Sequence, residues 1–208
     1  NQYDVIFIDF SKMPRECHSY REYIDRIEEN LIRDLKKAYP DIEIYEGDSA
    51  ADVLETIFEE YDEQRFIFVF DEWDFIFHKD FIKEEDKKQY ILFLSNLLKD
   101  RPYVIMTYMT GILPIAKYSS GSELNMFWEY NMASETKYSE YFGFTDTEVK
   151  DMLEYYGLSE HYGEVKEWYD GYRFGNVEVY CPWDVISYLR DFQYGVAQKP
   201  KSYWKNTS

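Results

Sequence analysis

Cysteine and basic side chains are scarce in this sequence of 208 residues, and each shortage excludes a class of protein. The two cysteines, Cys17 and Cys181, provide no disulfide framework and do not have the spacing of metal ligands. Lysine and arginine number 23 against 41 acids, and the net charge of −18 opposes nonspecific binding to nucleic acid or to an anionic membrane. No apolar run approaches the length of a membrane span, and we expect no signal peptide. These absences predict a cytoplasmic protein with reduced thiols.

Apolar and aromatic residues, by contrast, are abundant. Hydrophobic residues make up 45% of the chain and aromatic residues 20%, which is typical of a globular protein rather than a disordered one. The 22 tyrosines can fill a core with their rings while each keeps a hydroxyl for a partner.

The most informative stretch is RFIFVFDEWD at residues 65–74. Its apolar run, residues 66–70, has no polar break and ends at Asp71 and Glu72, which predicts a strand buried on both faces. Acids at the end of such a strand lie at the carboxyl edge of a parallel sheet, where open α/β sheets bind ligands. In P-loop nucleotide hydrolases an Asp at this point binds Mg²⁺ and a following Glu orients the attacking water. The alternative is that both acids simply end a strand in solvent.

Two further runs resemble buried strands, at residues 5–10 and 103–108. The first includes Asp9 near its end, and Thr107 and Thr110 lie near the end of the second. Because helical patterns separate the three runs, we expect right-handed crossovers and a parallel sheet covered by helices on both faces. All these polar groups would then meet at one edge. Since the first strand begins almost at once, we also expect the sequence to be a fragment of a longer protein.

Helical periodicity and turn signals predict the remaining elements. We expect a helix over residues 14–38 that ends before Pro40, a second helix capped by Ser49 and Asp52, and a third across residues 90–98. Weaker strands are expected at residues 42–45 and 125–130.

The character of the chain changes near residue 140. Thr145 and Glu148 form a capping-box pattern and predict the start of a helix that ends at Gly157. Pro182 predicts the first turn of the last helix. Between these helices we expect a turn at residues 170–171, as a structural corner in WYDGY, and a short strand at residues 177–180. The pattern therefore predicts that residues 140–208 form a small, mainly helical appendage.

With these features in place, the chain resembles the AAA-ATPase-like family of P-loop proteins, which is common in bacteria. The resemblance covers nearly the whole chain and rests on six segments in the family's order: FDEWD at 70–74, MTGI at 109–112, GFTDTEV at 143–149, WYDGYRFG at 168–175, YCPWD at 180–184 and YWKNTS at 203–208. It implies an α/β fold with a P-loop NTPase-like, mostly parallel sheet flanked by helices over residues 1–139. A small, mainly helical C-terminal subdomain would follow over residues 140–208.

The resemblance also implies an activity, the binding and hydrolysis of ATP with Mg²⁺. Asp71 would bind the metal as the Walker B acid, and Glu72 would orient the attacking water. Thr110 would lie near the γ-phosphate as a sensor, and Asp74 matches the family's second Asp, which we assign to the nucleotide side without a defined role. In full-length relatives a nuclease-like domain often follows the position of Ser208, and the ATPase module would regulate it.

The sequence departs from the family in one serious respect, since no G-x-x-x-x-G-K-[ST] loop occurs in its 208 residues. Without the backbone N–H groups and the Lys of that loop, nothing holds the β- and γ-phosphates. We therefore expect this chain alone to bind ATP weakly or not at all. Trp73, Ile76 and Cys181 are milder departures. For Asp9, the sequence leaves two interpretations open, a ligand of the site or an acid that ends a strand in solvent. For the whole chain, the alternative to an ATPase is a non-catalytic scaffold that binds a protein partner through its Tyr-rich surface.

Overall fold

The computed structural model describes residues 3–13, 16–119, 121–131, 137–196 and 198–203. The chain divides into two compact units, Asn1–Glu129 and Tyr130–Ser208, so the division falls earlier than the predicted boundary at 139/140. The architecture is mixed α/β, as predicted, with one parallel and one antiparallel sheet. Across the described ranges, every helix is too short or too polar to cross a membrane.

The first unit is built on three parallel strands in the order β1–β2–β3. They are β1 (Asp4–Asp9), β2 (Phe66–Asp71) and β3 (Val104–Met109). Strand β2 pairs in parallel with both neighbours, and its register places Asp71 opposite Asp9. The three predicted strands and their parallel pairing are confirmed.

Four helices accompany this sheet: α1 (Tyr20–Ala38), α2 (Ala50–Glu60), α3 (Glu84–Leu98) and α4 (Ile115–Tyr118). The predicted start of α1 at residue 14 is wrong. Ser19 is extended and its side chain accepts the N–H of Glu22, so the helix begins after that cap. The capping box of Ser49 and Asp52 at the start of α2 is confirmed.

Within the described residues, the helices cover one face of the parallel sheet and leave the other open. The rings of Phe66, Phe68 and Phe70 point into the apolar core that α1, α2 and α3 share with β1 and β2. On the other face, Phe7 is 59% exposed and Tyr108 is 60% exposed. The prediction that the sheet is covered on both faces is therefore wrong for the described residues. An unbroken apolar run has apolar residues on both faces whether or not a second layer covers it, so the run alone does not distinguish the two cases.

Two weak strand predictions are also wrong. Residues 42–45 form a loop in which Ile42 is buried as a single anchor and the N–H of Tyr45 bonds to the Asp48 carboxylate at 2.7 Å. Residues 125–130 form turns and irregular backbone, and Trp128 is largely exposed. Strand propensity reflects side-chain packing on a sheet, and neither segment lies beside a strand with which it pairs.

In the described part of the second unit, three helices surround a small antiparallel sheet. The elements are β4 (Phe144–Thr145), α5 (Asp146–Tyr155), α6 (Tyr162–Tyr169), β5 (Asp170–Phe174), β6 (Val177–Tyr180) and α7 (Pro182–Gln193), with strand order β4–β6–β5. The capping box of Thr145 and Glu148, the left-handed Gly157 and the first-turn position of Pro182 are confirmed.

The predicted turn at residues 170–171 is wrong, because these residues begin strand β5. The chain reverses later, at residues 175–176, where Gly175 has a φ of 58°. Of the two aromatic residues before Asp170, Tyr169 is buried but Trp168 is 54% exposed. Within the YWKNTS segment, residues 204–208 lie outside the described ranges.

Candidate functional site

The predicted meeting of polar groups at the carboxyl edge of the parallel sheet is observed for Asp9, Asp71 and Thr110. It is wrong for Thr107, which lies inside β3 opposite Phe68. Asp9 and Asp71 are register partners at the ends of β1 and β2. Thr110 follows β3, and its N–H donates to the carbonyl of Phe70 at 2.9 Å. The Thr110 Oγ1 hydroxyl donates to Oδ1 of Asp71 at 2.5 Å. Two residues 39 positions apart in the sequence are thus joined because parallel strands end at the same edge.

Asp71 and Glu72 are both exposed at this edge. Glu72 has a φ of 55°, in the left-handed region that is uncommon for residues other than glycine. Its carbonyl accepts the N–H of Phe75 at 2.9 Å, and a 3₁₀ turn, Phe75–His78, follows. This conformation ends β2 abruptly and turns the chain inward, so that the next two residues, Trp73 and Asp74, are buried.

Asp9 is held by its own loop. Its Oδ1 accepts the Ser11 hydroxyl at 2.6 Å and the Ser11 N–H at 3.0 Å, and Lys12 Nζ lies 3.3 Å from Oδ2. The Ser11 hydroxyl, more than any other group, holds the pKa of Asp9 below its usual value. Asp9 is therefore ionised beside Asp71, with part of its hydrogen-bonding capacity already used by its own loop.

Asp74 lies away from solvent, with 1% of its surface exposed. Its Oδ2 accepts the backbone N–H groups of Ile112 and Leu113 at 3.0 and 2.7 Å. The ring of His78, which is itself half exposed, lies 3.8 Å from the same oxygen. The structure thus places Asp74 against the loop that follows Thr110, rather than beside Asp71 at the exposed edge.

Two residues that support this site were not predicted from the sequence. The Tyr90 hydroxyl, from α3, donates to the carbonyl of Trp73 at 2.6 Å in a buried position. Gly111 lies so close to the β2 end that an added Cβ would be 2.4 Å from Trp73 Cδ1 and 2.6 Å from Asp74 Oδ1. The glycine in MTGI was the available signal for this close approach, whereas Tyr90 follows only from tertiary packing.

The edge suits a hydrated Mg²⁺ ion better than a closed metal cage. Among the described residues, no group of three or more His, Cys, Asp or Glu side chains is placed to hold a metal. Mg²⁺ usually keeps several waters and binds one or two carboxylates together with substrate phosphates. The carboxylate of Asp71 is exposed and bonds to the Thr110 hydroxyl through one oxygen, so it could serve as one ligand of such a hydrated ion. The phosphates themselves would have to be held by groups other than a G-x-x-x-x-G-K-[ST] loop, because the sequence contains none.

The second unit contains a separate polar network centred on Asp146. Its Oδ1 accepts the hydroxyls of Tyr162 and Tyr180 at 2.5 and 2.7 Å, and Lys150 and Lys166 lie 2.7 and 3.7 Å from the carboxylate. The Lys150 contact and the Tyr162 hydroxyl bond hold the pKa of Asp146 well below its usual range. Burial, followed by the bond to Asp146, raises the pKa of Tyr180. This network joins the first turn of α5 to α6 and β6.

Comparison of the chain with protein-family models, with curated proteins and with solved structures finds no match. The resemblance to the AAA-ATPase-like family therefore stays a prediction from the sequence segments quoted above.

Proposed function

We propose that the carboxyl edge of the parallel sheet is the metal- and water-binding side of an ATP-hydrolysing site of the AAA-ATPase-like kind. The observation that carries the proposal is the contact of Thr110 Oγ1 with Asp71 Oδ1 at the ends of adjacent parallel strands. A hydroxyl and a carboxylate held together at this edge are suited to a metal ion and to the terminal phosphate that the ion neutralises.

Each residue has a distinct role in this proposal. Asp71 binds Mg²⁺, directly or through water, and Glu72 orients the water that attacks the γ-phosphate. Thr110 reports the terminal phosphate to the loop after β3. The exposure of Asp71 and Glu72 supports these roles, because both carboxylates are accessible to a ligand without any rearrangement of the core.

The proposal concerns the full-length protein in the cytoplasm, where its thiols would be reduced. In it, nucleotide-driven closure regulates an attached nuclease-like domain. Cys17 and Cys181 are not joined in a disulfide, which is compatible with such a compartment. The chain of 208 residues contains no phosphate-binding loop of the expected pattern. By itself it should therefore bind ATP weakly or not at all. Calorimetry that gives micromolar, Mg²⁺-dependent ATP binding would contradict this expectation.

The direct test is Glu72→Gln in the full-length protein. We expect ATP turnover to fall by about 100-fold or more while Mg²⁺–ATP binding is retained, because the variant removes only the group that orients water. Glu63→Gln is a matched control, since Glu63 is also exposed and left-handed, with a φ of 56°, but precedes β2 instead of following it. Equal turnover in the two variants would refute the assigned role of Glu72.

The second candidate function is a non-catalytic scaffold that binds a protein partner. The observation that favours it is the exposed apolar face of the parallel sheet, on which Val5, Phe7, Met106 and Tyr108 are each more than half exposed. Apolar side chains grouped in this way are common at interaction sites. Absence of ATP turnover in the wild-type full-length protein would support this function over the first.

A further inference from the structure

We infer that Asp74 is a positioning residue, which holds the loop after β3 so that Thr110 stays in contact with Asp71. The inference assigns Asp74 to the loop rather than to the nucleotide. Its functional part rests on the proposed ATPase site, whereas its structural part can be tested on this chain alone.

The first argument is the burial of the Asp74 carboxylate together with its partners. A buried carboxylate is costly unless it accepts hydrogen bonds, and bonds from backbone N–H groups to an ionised acceptor are among the strong ones. Asp74 Oδ2 accepts two such bonds, from the consecutive amides of Ile112 and Leu113 at 3.0 and 2.7 Å. Both amides lie in the loop that begins at Thr110, so the carboxylate fixes the path of that loop.

The second argument is that Thr110 itself is held by the backbone around the end of β2. Its N–H donates to the carbonyl of Phe70 at 2.9 Å, and its carbonyl accepts the N–H of Trp73 at 3.0 Å. These bonds set the position of the Thr110 backbone, and the Asp74 bonds set the direction in which the chain leaves it. The short contact between the Thr110 hydroxyl and Asp71 depends on both.

The third argument is the close packing at Gly111, between the two sets of bonds. A Cβ at this position would lie 2.4 Å from Trp73 Cδ1 and 2.6 Å from Asp74 Oδ1, so any larger residue displaces one of them. The Trp73 ring has little room to move, because it is buried and packs edge-on against Phe77. The Tyr90 hydroxyl holds the Trp73 backbone carbonyl at 2.6 Å. The second oxygen of Asp74, Oδ1, has no hydrogen-bond partner among the described residues and faces this glycine. Burial of this unpaired oxygen costs free energy. The two bonds from Oδ2 to the loop amides must therefore offset that cost.

The segment FDEWD therefore contains acids of two kinds. Asp71 and Glu72 are exposed at the edge, whereas Asp74 is buried and bonded to the backbone. Loss of Asp74 should act on the site only through the position of Thr110.

The structural test uses amide hydrogen exchange by NMR on the ¹⁵N-labelled chain, with the variants Asp74→Ala and Asp74→Asn. We expect exchange at Ile112 and Leu113 to accelerate by about tenfold or more in Asp74→Ala, because two charge-assisted bonds are lost. Asp74→Asn keeps one carbonyl oxygen for these amides and should show a smaller acceleration. Asp71→Asn is the control, since it alters the acceptor of Thr110 but not the bonds of Asp74, and should leave both amides protected.

The inference is overturned if both amides in Asp74→Ala exchange within about twofold of the wild type. Protection of the β1 amides, measured in the same spectra, shows whether each variant is folded. If Asp74→Ala does not fold, Asp74→Asn decides instead: unchanged exchange at Ile112 and Leu113 overturns the inference, and faster exchange at these two amides alone supports it.

The functional test is a double-mutant cycle in the full-length protein with Asp74→Asn and Thr110→Ala. We expect Asp74→Asn to lower kcat for ATP by about tenfold with little change in KM, because Asp74 does not touch the nucleotide. The double variant should be no slower than Thr110→Ala alone, since both changes act through the same hydroxyl. Additive losses, or a rise in KM with unchanged kcat, would refute the role. Absence of turnover in the wild type would refute the proposed function and leave the exchange result on Asp74 valid.

Discussion

The two units stabilise their sheets by different means. In the first, the parallel sheet rests on apolar contact, and the buried rings of Phe66, Phe68 and Phe70 form a ladder with centroids 6.5 and 5.8 Å apart. In the second, the carboxylate of Asp146, at the start of α5, binds the hydroxyls of Tyr162 and Tyr180. The first unit thus depends on buried area, and the second depends in addition on an ionised group.

This difference predicts different sensitivities. Apolar burial changes little with pH but is lost when a ring is truncated. A carboxylate that is stabilised in its ionised form loses that stabilisation when it is protonated. The two units should therefore respond to different perturbations, the first to truncation of buried rings and the second also to acid.

The largest expected effect is that of Phe68→Ala in the first unit. Phe68 is fully buried, and its truncation should cost about 3–5 kcal/mol of unfolding free energy, because it leaves a cavity in the core. Phe7→Ala, on the open face of the same sheet, should cost less than about 1 kcal/mol, since Phe7 is already exposed. Peptide-resolved hydrogen exchange measures each unit separately. Equal costs for the two variants would mean that the open face is covered in solution.

The next effect is that of Asp146→Asn in the second unit. At neutral pH the change should cost about 1–2 kcal/mol, since it weakens hydrogen bonds to a charged group that is partly exposed. The folded pKa of Asp146 lies below the unfolded value of about 3.9, so its contribution is complete above that value and is lost as the pH falls below it. Acid titration of the second unit should therefore show a loss of stability that the variant lacks.

Asp151→Asn is the control for this titration, because Asp151 is an exposed acid on the same helix. It should leave the pH dependence of the second unit unchanged. A wild-type acid transition that is identical in Asp146→Asn would contradict the role of the network.

The smallest effect concerns a feature that the two units share. Ser49 and Thr145 each accept the amide of the third helical residue, at 3.3 and 3.4 Å, within a complete capping box. Ser49→Ala and Thr145→Ala should each cost about 1 kcal/mol, and each only in its own unit. Thr147→Ala, at an exposed position in the first turn of α5, should stay within about 0.5 kcal/mol of wild type. Urea titration followed by hydrogen exchange measures the free energy of unfolding of each unit. If Thr147→Ala lowered the stability of the second unit as much as Thr145→Ala does, the capping assignment would be contradicted.

Local signals in the sequence predicted much of the fold correctly. Both capping boxes and the left-handed Gly157 depend on interactions within a few residues of each other. The central strand pairs with distant strands, but its unbroken apolar run and its end at Asp71 are visible in one segment. The meeting of Asp71 with Thr110 was also predictable, because alternating strands and helices give parallel strands that end at one edge.

Other features depend on contacts that the sequence pattern does not contain. Residues 42–45 have a strand-like composition but form a loop. Residues 170–171 have a turn-like composition but begin a strand, because Asp170 and Tyr172 pair with β6 on either side of Gly171. Likewise, nothing in the segment FDEWD distinguishes the buried Asp74 from the exposed acids Asp71 and Glu72. Only the left-handed Glu72 and the approach of Gly111 make Asp74 a buried partner of the loop.

The sequence by itself determined the three strands of the parallel sheet, the acids at the ends of the first two, and the capping boxes of α2 and α5, because hydrophobic periodicity and capping are local properties. The tertiary structure decided which face of the sheet is covered and which acid of FDEWD is turned inward. Both of these depend on the free energy of packing between residues that are distant in the chain. A single segment of sequence does not show which distant residues will pack against it.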